Sequence, residues 1–158
     1  MSELCIIAFG GNLGDVPATF LRAAFLLEIA GFQILRFSSC YTTSPVDCPC
    51  GTPDFTNAVA SGYWSGTPEK LLDACQKTEV ECGRPHHHEH HVSRTLDLDI
   101  ILFGEHVIRN KRLIIPHPEA KFRVFVTIPL KEIAPDLLIL LNRLTDDDMR
   151  NEKSRQIS

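Results

Sequence analysis

Two aspartates separated by one residue are the most informative chemical feature of this 158-residue sequence. Asp97 and Asp99 lie in an otherwise apolar segment, residues 96–100, that is typical of a β-strand. Because side chains alternate along a strand, both carboxylates are predicted on one face, roughly 7 Å apart. That spacing suits one or two Mg²⁺ ions that also bind phosphate oxygens. The alternative is an edge strand with a solvated acidic face, although so apolar a strand seldom carries two acids.

Four arginines stand near the ends of the predicted elements around this pair: Arg84, Arg94, Arg112 and Arg123. A guanidinium group binds phosphate through two parallel hydrogen bonds, and several of them together neutralise a polyphosphate. With the two acids they favour phosphoryl transfer, in which the protein positions groups and offsets charge. Taken singly, each arginine is a surface residue or an ion-pair partner.

Three other clusters are weaker signals for a ligand site. The glycine turn at residues 10–14 lacks the Lys-Ser/Thr pair of a P-loop and the spacing of a dinucleotide fingerprint. Five histidines could bind Zn²⁺ or Ni²⁺, but a solvated polar loop is the favoured interpretation: His86, His87, His88, His90 and His91. The Cys48-Pro49-Cys50 pair is interpreted as a turn, and all six cysteines are expected to be reduced.

Composition and charge argue against several classes of protein. The chain has 16 Lys and Arg against 20 Asp and Glu, so its net charge of −4 argues against nucleic-acid and acidic-membrane partners. Its longest apolar stretches are far shorter than the roughly 20 residues that span a bilayer. The first residues lack a basic segment followed by a long apolar run, so a cytoplasmic chain is expected. We also expect a monomer.

The chain order of the predicted elements indicates the fold. Strands are predicted at residues 4–9, 32–41, 55–63 and 95–103, with helices at 17–31 and 68–83 between them and a further short helix at 123–130. A hairpin turn at 104–105 is predicted to lead into 106–108. This order predicts an α/β (α+β) fold, a ferredoxin-like mixed or antiparallel sheet with helices on one face. We expect one domain over residues 1–145 and a disordered polar tail over 146–158.

Several blocks of sequence are similar, in order, to one enzyme family. The most specific block is Arg-Thr-Leu-Asp-Leu-Asp-Ile at residues 94–100. The others are residues 8–15, 41–45, 55–59, Glu79 with 83–84, 116–118, 123–130 and 132–135. On these blocks the chain resembles the 6-hydroxymethyl-7,8-dihydropterin pyrophosphokinases of the folate pathway, from about Leu4 to about Leu137. The resemblance implies transfer of pyrophosphate from ATP to the hydroxymethyl oxygen of the pterin, giving AMP and the pterin diphosphate. It also implies a three-layer α-β-α sandwich, with helices packed on both faces of the ferredoxin-like sheet.

The same resemblance implies roles for individual residues. Asp97 and Asp99 would hold two Mg²⁺ ions that bridge the triphosphate, and Arg84 and Arg94 would join them in catalysis. The family's ATP contacts fall on Gln76, Glu79, Arg84, Arg94, Ile100, Arg112, Ile114, His117 and Arg123. The family's pterin contacts fall on Thr43, Val46, Phe55, Asn57 and Phe125, with the two phenyl rings stacking on the pterin.

The chain departs from the family pattern in the loop that follows the second predicted helix. His86 stands where a second arginine is usual, His91 where a tryptophan is frequent, and Ser93 where a proline is typical. Loss of a permanent cation and a large ring from this loop is expected to weaken closure over ATP and to slow turnover. The alternative function is therefore a catalytically weak or inactive nucleotide- or pterin-binding relative with a His-rich metal-binding loop.

Overall fold

The computed structural model describes residues 1–45, 50–83 and 95–157. Its elements are β1 (Glu3–Gly11), α1 (Val16–Ala30), β2 (Gln33–Phe37), β3 (Tyr41–Thr43), β4 (Phe55–Trp64), α2 (Pro68–Glu81), β5 (Asp97–Phe103), β6 (Ile108–Arg109), β7 (Ile114–Ile115), a 3₁₀ turn (Ala120–Phe122), α3 (Val124–Ile133) and α4 (Pro135–Ile157). The strands and helices predicted up to residue 103 are all present. The strand predicted at 32–41 is divided in two, because Ser38 bonds to Val59 through both its backbone and its hydroxyl.

The main sheet is antiparallel throughout. Its strand order is β2-β4-β1-β5, and the short β3 pairs with β4 beyond the end of β2. β4 thus lies between β1 and β2, and β1 lies between β4 and β5, which makes two interlocked split β-α-β units. The ferredoxin-like prediction is confirmed. β5 is left as an edge strand of this sheet.

Helices cover both faces of the sheet because the strands alternate apolar side chains. Ile7 and Phe9 of β1 pack with α1 and α2, whereas Ile6 packs with α3 and α4. Pairing between β1 and β5 is interrupted by a bulge at Ile101, an extra residue between the pairs Ile7–Ile100 and Ile6–Leu102. The three-layer sandwich predicted from the sequence is confirmed.

Side chains outside the helices define the first turns of α1 and α2. The Asp15 carboxylate accepts a hydrogen bond from Ala18 N at 3.2 Å, and the Thr67 hydroxyl accepts one from Lys70 N at 3.2 Å. α1 ends at Gly31, whose φ of 113° is the left-handed conformation that favours glycine. These are the start and stop signals that the sequence displays.

The turn predicted at residues 104–105 is present, since His106 N donates to Phe103 O at 3.0 Å, but the hairpin predicted there is wrong. β6 pairs with β7 and not with β5, so the hairpin turn lies at residues 110–113. The Asn110 side chain closes that turn, because its Oδ1 accepts hydrogen bonds from Arg112 N at 2.9 Å and Leu113 N at 3.0 Å. Gly104 N instead donates to Leu4 O at 2.8 Å, which keeps the end of β5 beside β1.

The prediction of a disordered tail from residue 146 is also wrong, since α4 continues to Ile157. Leu141 and Leu144 bury one side of this helix against the sheet. Farther along, Asp146 and Asp148 are ion-paired with basic residues of other elements. The acidic run is therefore a paired surface and not a solvated one. None of the helices in the described ranges, α4 included, is long and apolar enough to cross a membrane.

The cysteines agree with the reduced state predicted for them. Cys5, Cys40, Cys50, Cys75 and Cys82 are free thiols, and Cys48 lies outside the described residues. Burial, with a smaller contribution from Glu3, raises the pKa of Cys5 to about 12. The buried thiols therefore belong to the core.

Candidate active site

The two acidic residues of β5 lie on the sheet face that α3 and α4 cover. Asp97 and Asp99 are half-buried, while Leu98 between them is buried among the α1 and α2 side chains. In the antiparallel register Asp97 lies opposite Gly10, and Asp99 lies opposite Ala8. The carboxylates therefore have two small residues beside them on the neighbouring strand, which leaves room for a ligand above β1.

The two glycines that end β1 serve close packing. A Cβ atom at Gly11 would lie 2.5 Å from the backbone oxygen of Thr95, so only glycine allows β1 to approach the start of β5 this closely. A Cβ atom at Gly10 would lie 3.3 Å from Asn57 Oδ1. These glycines thus bring the acidic end of β5 close to Asn57 at one end of the sheet.

Asn57 continues the row of the acids across the sheet. Gly10 pairs with Asp97 on one side and with Asn57 on the other, so the two polar side chains lie two strand spacings apart, about 10 Å. Asn57 is 6% exposed, and its Nδ2 donates to the Thr43 hydroxyl at 2.9 Å. Thr43 in turn pairs with Phe55 in the register of β3 and β4. This polar and aromatic group is suited to one edge of a flat heterocycle.

α3 lies over the same face of the sheet and brings a ring and a cation. Phe125 is half-buried against the cluster that α3 and α4 form with the sheet. The Arg123 guanidinium lies 5.6 Å from the centre of the Phe125 ring and is ion-paired with Glu119. The start of α3 thus adds an aromatic surface and a positive charge to the side of the sheet that holds Asp97, Asp99 and Asn57.

One carboxylate at the end of α3 ties this helix to β3. Glu132 accepts hydrogen bonds from Ser39 N at 2.9 Å, from the Ser39 hydroxyl at 3.3 Å and from the Tyr41 hydroxyl. The hydrogen bond between the Tyr41 hydroxyl and the Glu132 carboxylate lowers the pKa of Glu132 and raises the pKa of Tyr41. Tyr41 of β3 pairs with Asn57 of β4. The contact with Glu132, which we call the clamp, therefore fixes the position of α3, which carries Phe125, relative to β3 and β4. Sequence reasoning assigned no role to Glu132, because no local pattern links residues 91 positions apart.

Removing the hydroxyl of this clamp is expected to loosen the side of the site that the resemblance assigns to the pterin. The Tyr41→Phe variant keeps the ring and loses the bond to Glu132, so we expect the pterin KM to rise about threefold. The KM for ATP should stay within experimental error of the unaltered value. Steady-state kinetics with each substrate varied in turn measures both. An equal rise in both KM values would show that the clamp supports the fold as a whole.

His117 is held as a neutral ring beside the acids. Its backbone N donates to Ile101 O at 3.1 Å, and its Nδ1 accepts from Glu119 N at 3.3 Å. Burial, followed by the nearby Arg123 charge, lowers the pKa of His117 below its ordinary value of 6.5. With Nδ1 accepting, the ring proton is on Nε2, which is free to serve as a donor to a ligand oxygen.

The depressed pKa of His117 predicts a pH-dependent stability. The unfolded chain binds a proton near pH 6.5 and the folded chain only at lower pH, so the free energy of unfolding falls as the pH drops below 6.5. The loss is complete once the pH is below the folded-state pKa. We expect the melting temperature of His117→Gln to fall less between pH 7.5 and 5 than that of the unaltered chain. The matched control is His106→Gln, at an exposed position, and equal pH profiles for all three proteins would contradict the prediction.

Glu79 supports the acidic strand from the other face. Its side chain on α2 is 8% exposed, and its Oε2 accepts a hydrogen bond from Leu98 N at 2.9 Å. Leu98 stands between Asp97 and Asp99, so this hydrogen bond fixes the backbone of the edge strand at the position between the two acids. The resemblance placed Glu79 among the ATP contacts, and the structure places it directly behind the acid pair.

The other residues of the expected ATP set are spread along the outer edge of β5. Gln76 and Ile114 are exposed, and Arg112 donates to Asp73 Oδ1 at 2.6 Å on the surface. Ile100 is 4% exposed among the side chains packed on α2, so its side chain is part of the core and only its backbone reaches the strand edge. Val46, Arg84, Arg94 and the five histidines lie outside the described residues.

The acid pair determines which metal could be held. Within the three described ranges, no group of three or more His, Cys, Asp or Glu side chains could hold a metal ion. Mg²⁺ is commonly bound through one or two carboxylates together with substrate phosphates and water. Asp97 and Asp99 therefore fit a metal that arrives with a polyphosphate better than a permanently caged one.

Similarity to known proteins agrees with this chemistry. Residues 6–135 match the family model of the 7,8-dihydro-6-hydroxymethylpterin-pyrophosphokinases. The 2-amino-4-hydroxy-6-hydroxymethyldihydropteridine pyrophosphokinase of Haemophilus influenzae is 42% identical over 135 residues, 84% of this chain and 82% of that protein. The Bacillus subtilis protein of the same name is 38% identical over 135 residues, 84% of this chain and 79% of that protein.

A solved structure supports the fold separately. The crystal structure of wild-type Plasmodium falciparum HPPK-DHPS with pteroate superposes with a TM-score of 0.66 at 12% identity, covering 100% of this chain and 44% of that one. The chain thus spans less than half the length of that protein. Fold, acid pair and relatives together define an ATP-dependent diphosphotransferase that acts on a small molecule.

The chain belongs to the 7,8-dihydro-6-hydroxymethylpterin-pyrophosphokinase family. It transfers pyrophosphate from ATP to 6-hydroxymethyl-7,8-dihydropterin in folate biosynthesis.

Proposed function

We propose that this transfer takes place on the sheet face under α3, with ATP along the outer edge of β5 and the pterin over β3 and β4. The row Asn57, Gly10 and Asp97 is the observation that carries the proposal. It places an amide that can read a heterocycle about 10 Å, two strand spacings, from a carboxylate that can hold a metal. A bicyclic pterin with its hydroxymethyl group fits between these two positions.

Asp97 and Asp99 are the proposed ligands of two Mg²⁺ ions. Bound there with ATP, Mg²⁺ would offset the charge of the triphosphate and lower the pKa of the pterin hydroxyl. Glu79 keeps the carboxylates in place through the backbone of Leu98. The two acids thus orient the triphosphate with respect to the pterin, and this orientation supplies a large part of the rate enhancement in phosphoryl transfer.

Cations and a neutral donor complete the proposed nucleotide site. Arg123 and Arg112 are placed to neutralise phosphate oxygens, each by exchanging its present carboxylate partner for phosphate. His117 would donate from Nε2 without adding charge, because its Nδ1 is occupied by Glu119 N. Arg84 and Arg94, which precede β5 in the sequence, are proposed to act on the transferred group. Gln76, Ile114 and the backbone of Ile100 would line the nucleoside.

The pterin is proposed to lie between two phenyl rings with its polar edge on β4. Phe55 and Phe125 supply apolar surface and stacking, which orient a flat ring without requiring its charge. Asn57 can donate and accept at the same edge, and Thr43 holds its amide in one orientation. Val46 is proposed to contribute through its backbone.

The reaction itself is tested by AMP release. The full chain is incubated with ATP and 6-hydroxymethyl-7,8-dihydropterin, with and without Mg²⁺, and with a control that lacks the pterin. We expect AMP only when both the pterin and Mg²⁺ are present. No AMP from folded protein that still binds ATP would favour the alternative, a binding relative whose altered loop has lost the catalytic step. Monomeric state and cytoplasmic location stay predictions, and a rate per chain that does not vary with protein concentration would support the first.

A further inference from the structure

The C-terminal half of α4 contacts the segments that carry the proposed nucleotide residues. This part of the helix lies beyond residues 6–135, the range that the family model matches. Its charged side chains pair with residues at three separate points of the chain between β5 and α3. Arg143 donates to Glu105 at 2.6 Å, and Asp146 and Asp148 pair with Lys121 and Arg109. We call residues 143–152 the C-terminal strap.

The pair between Arg109 and Asp148 is a two-point contact. Arg109 Nε lies 3.1 Å from Asp148 Oδ1 and 3.0 Å from Oδ2, and Nη2 also donates to Oδ2. Glu152, one helical turn on, lies 3.6 Å from Arg109 Nη2. The Asp148 side chain is only 13% exposed, which protects the pair from screening by salt. A forked contact of this kind fixes orientation as well as distance.

The second pair fixes the segment before α3. Lys121 donates to Asp146, and the lysine side chain is 17% exposed. Lys121 lies in the 3₁₀ turn, two residues before Arg123 and four after His117. The strap therefore holds a short segment that has one proposed ATP residue on either side.

The first pair fixes the β6–β7 hairpin in the same way. Arg109 is the direct cross-strand partner of Ile114, and Arg112 lies in the turn between them. Each strand of this hairpin has only two residues, and so short a ribbon is not stable by itself. Leu113 and Ile115 pack with the α1 and α2 side chains, Arg112 is ion-paired with Asp73 of α2, and the bond to Asp148 adds a contact with α4.

We infer that the C-terminal strap positions the nucleotide-binding segments of this enzyme through Asp148–Arg109 and Asp146–Lys121. Asp146 and Asp148 are positioning residues, since they act on ATP only through the hairpin and the 3₁₀ turn. The inference rests on the proposed ATP site, and it gives a function to a helix that the family match does not include. The pterin residues of β3 and β4 lie on the far side of the acid pair from the strap, and the remaining one, Phe125, lies in α3 beyond the 3₁₀ turn that the strap holds.

The double variant Asp146→Asn/Asp148→Asn tests this role with little change of shape. We expect the Kd of Mg²⁺-ATP, measured by calorimetry on the full chain, and the KM for ATP to rise about fivefold. The KM for the pterin should change less than twofold. Hydrogen exchange followed by mass spectrometry should show faster exchange in residues 108–115 without any nucleotide. The matched control is Asp147→Asn on the same helix, an exposed residue whose pairing is within α4, with Arg150 at 3.9 Å.

A reversed pair separates positioning from general stabilisation. Arg109→Glu alone should weaken ATP binding, because it places three acids together, and Arg109→Glu/Asp148→Arg should restore most of the affinity. The inference is overturned if the double variant matches Asp147→Asn in ATP affinity and in exchange of the hairpin, or if both KM values rise together with a lower melting temperature. Pterin-dependent AMP release by the unaltered chain tests the proposed function independently of any strap variant.

Discussion

Pterin-dependent AMP release is expected to fall about a thousandfold in Asp99→Asn, and by a similar factor in Asp97→Asn. Each substitution keeps the shape of the side chain and removes one of the two negative charges that are proposed to hold Mg²⁺ against the triphosphate. A thousandfold loss corresponds to about 4 kcal/mol of transition-state stabilisation. The effect should be large because the two acids have only Gly10 and Ala8 beside them on the next strand. Neither small residue can replace a lost carboxylate as a metal ligand.

The loss should be one of rate and not of folding. We expect melting temperatures of both variants within a few degrees of the unaltered chain, because both acids are half-buried at the strand edge and outside the core. Raising Mg²⁺ should recover part of the activity, since a single carboxylate binds the ion more weakly. Asp147→Asn is the control for a change of one charge. Full activity in either site variant, at limiting Mg²⁺, would exclude the proposed metal role of that residue.

The second large predicted effect concerns Asn57, in the proposed pterin site. Asn57→Leu replaces the amide with an apolar group of similar size, leaving the polar edge of the pterin without its partner. Loss of such buried hydrogen bonds costs about 2 kcal/mol, so the pterin KM should rise about thirtyfold. ATP affinity should stay within twofold, because Asn57 is two strand spacings away from Asp97.

A variant of Thr43, whose hydroxyl orients the Asn57 amide, serves as a milder control. Thr43→Val removes the hydroxyl that accepts from Asn57 Nδ2 but leaves the amide in place. Its effect on the pterin KM should be smaller than that of Asn57→Leu. If Asn57→Leu raises the KM for ATP as much as that for the pterin, the two substrates do not occupy separate ends of the row and the proposed arrangement is wrong.

Sequence patterns of short range predicted most of this fold. The alternation in β5 placed Asp97 and Asp99 on one side of a strand, and Thr67-Pro68 marked the start of α2. Both features depend on residues a few positions apart, where the physical reason is local: strand geometry in one case and helix capping in the other. The ferredoxin-like sheet followed from the order of such elements, whereas the third layer was implied by the family resemblance.

Features that depend on distant partners were not predictable in this way. The acidic run at residues 146–148 is typical of a solvated tail, and only the fold brings Arg109 and Lys121 opposite it. The clamp of Glu132 joins residues 91 positions apart in the chain. The turn at residues 104–105 forms, but β6 pairs with β7 and not with β5. In each case the decisive partner lies on another element.

The bulge at Ile101 divides β5 into two parts, and in each part the side chains alternate between the two faces of the sheet independently of the other part. Before it, Asp97 and Asp99 alternate with Leu98; after it, Leu102 faces α3 and α4 and Phe103 faces α1 and α2. Because Ile101 has no partner on β1, the pattern of alternation can change between the two parts of the strand. Substitutions that repack the apolar half can therefore shift its register without turning the carboxylates to the opposite face, so the core part of this strand and the end that carries the proposed metal ligands are free to diverge separately.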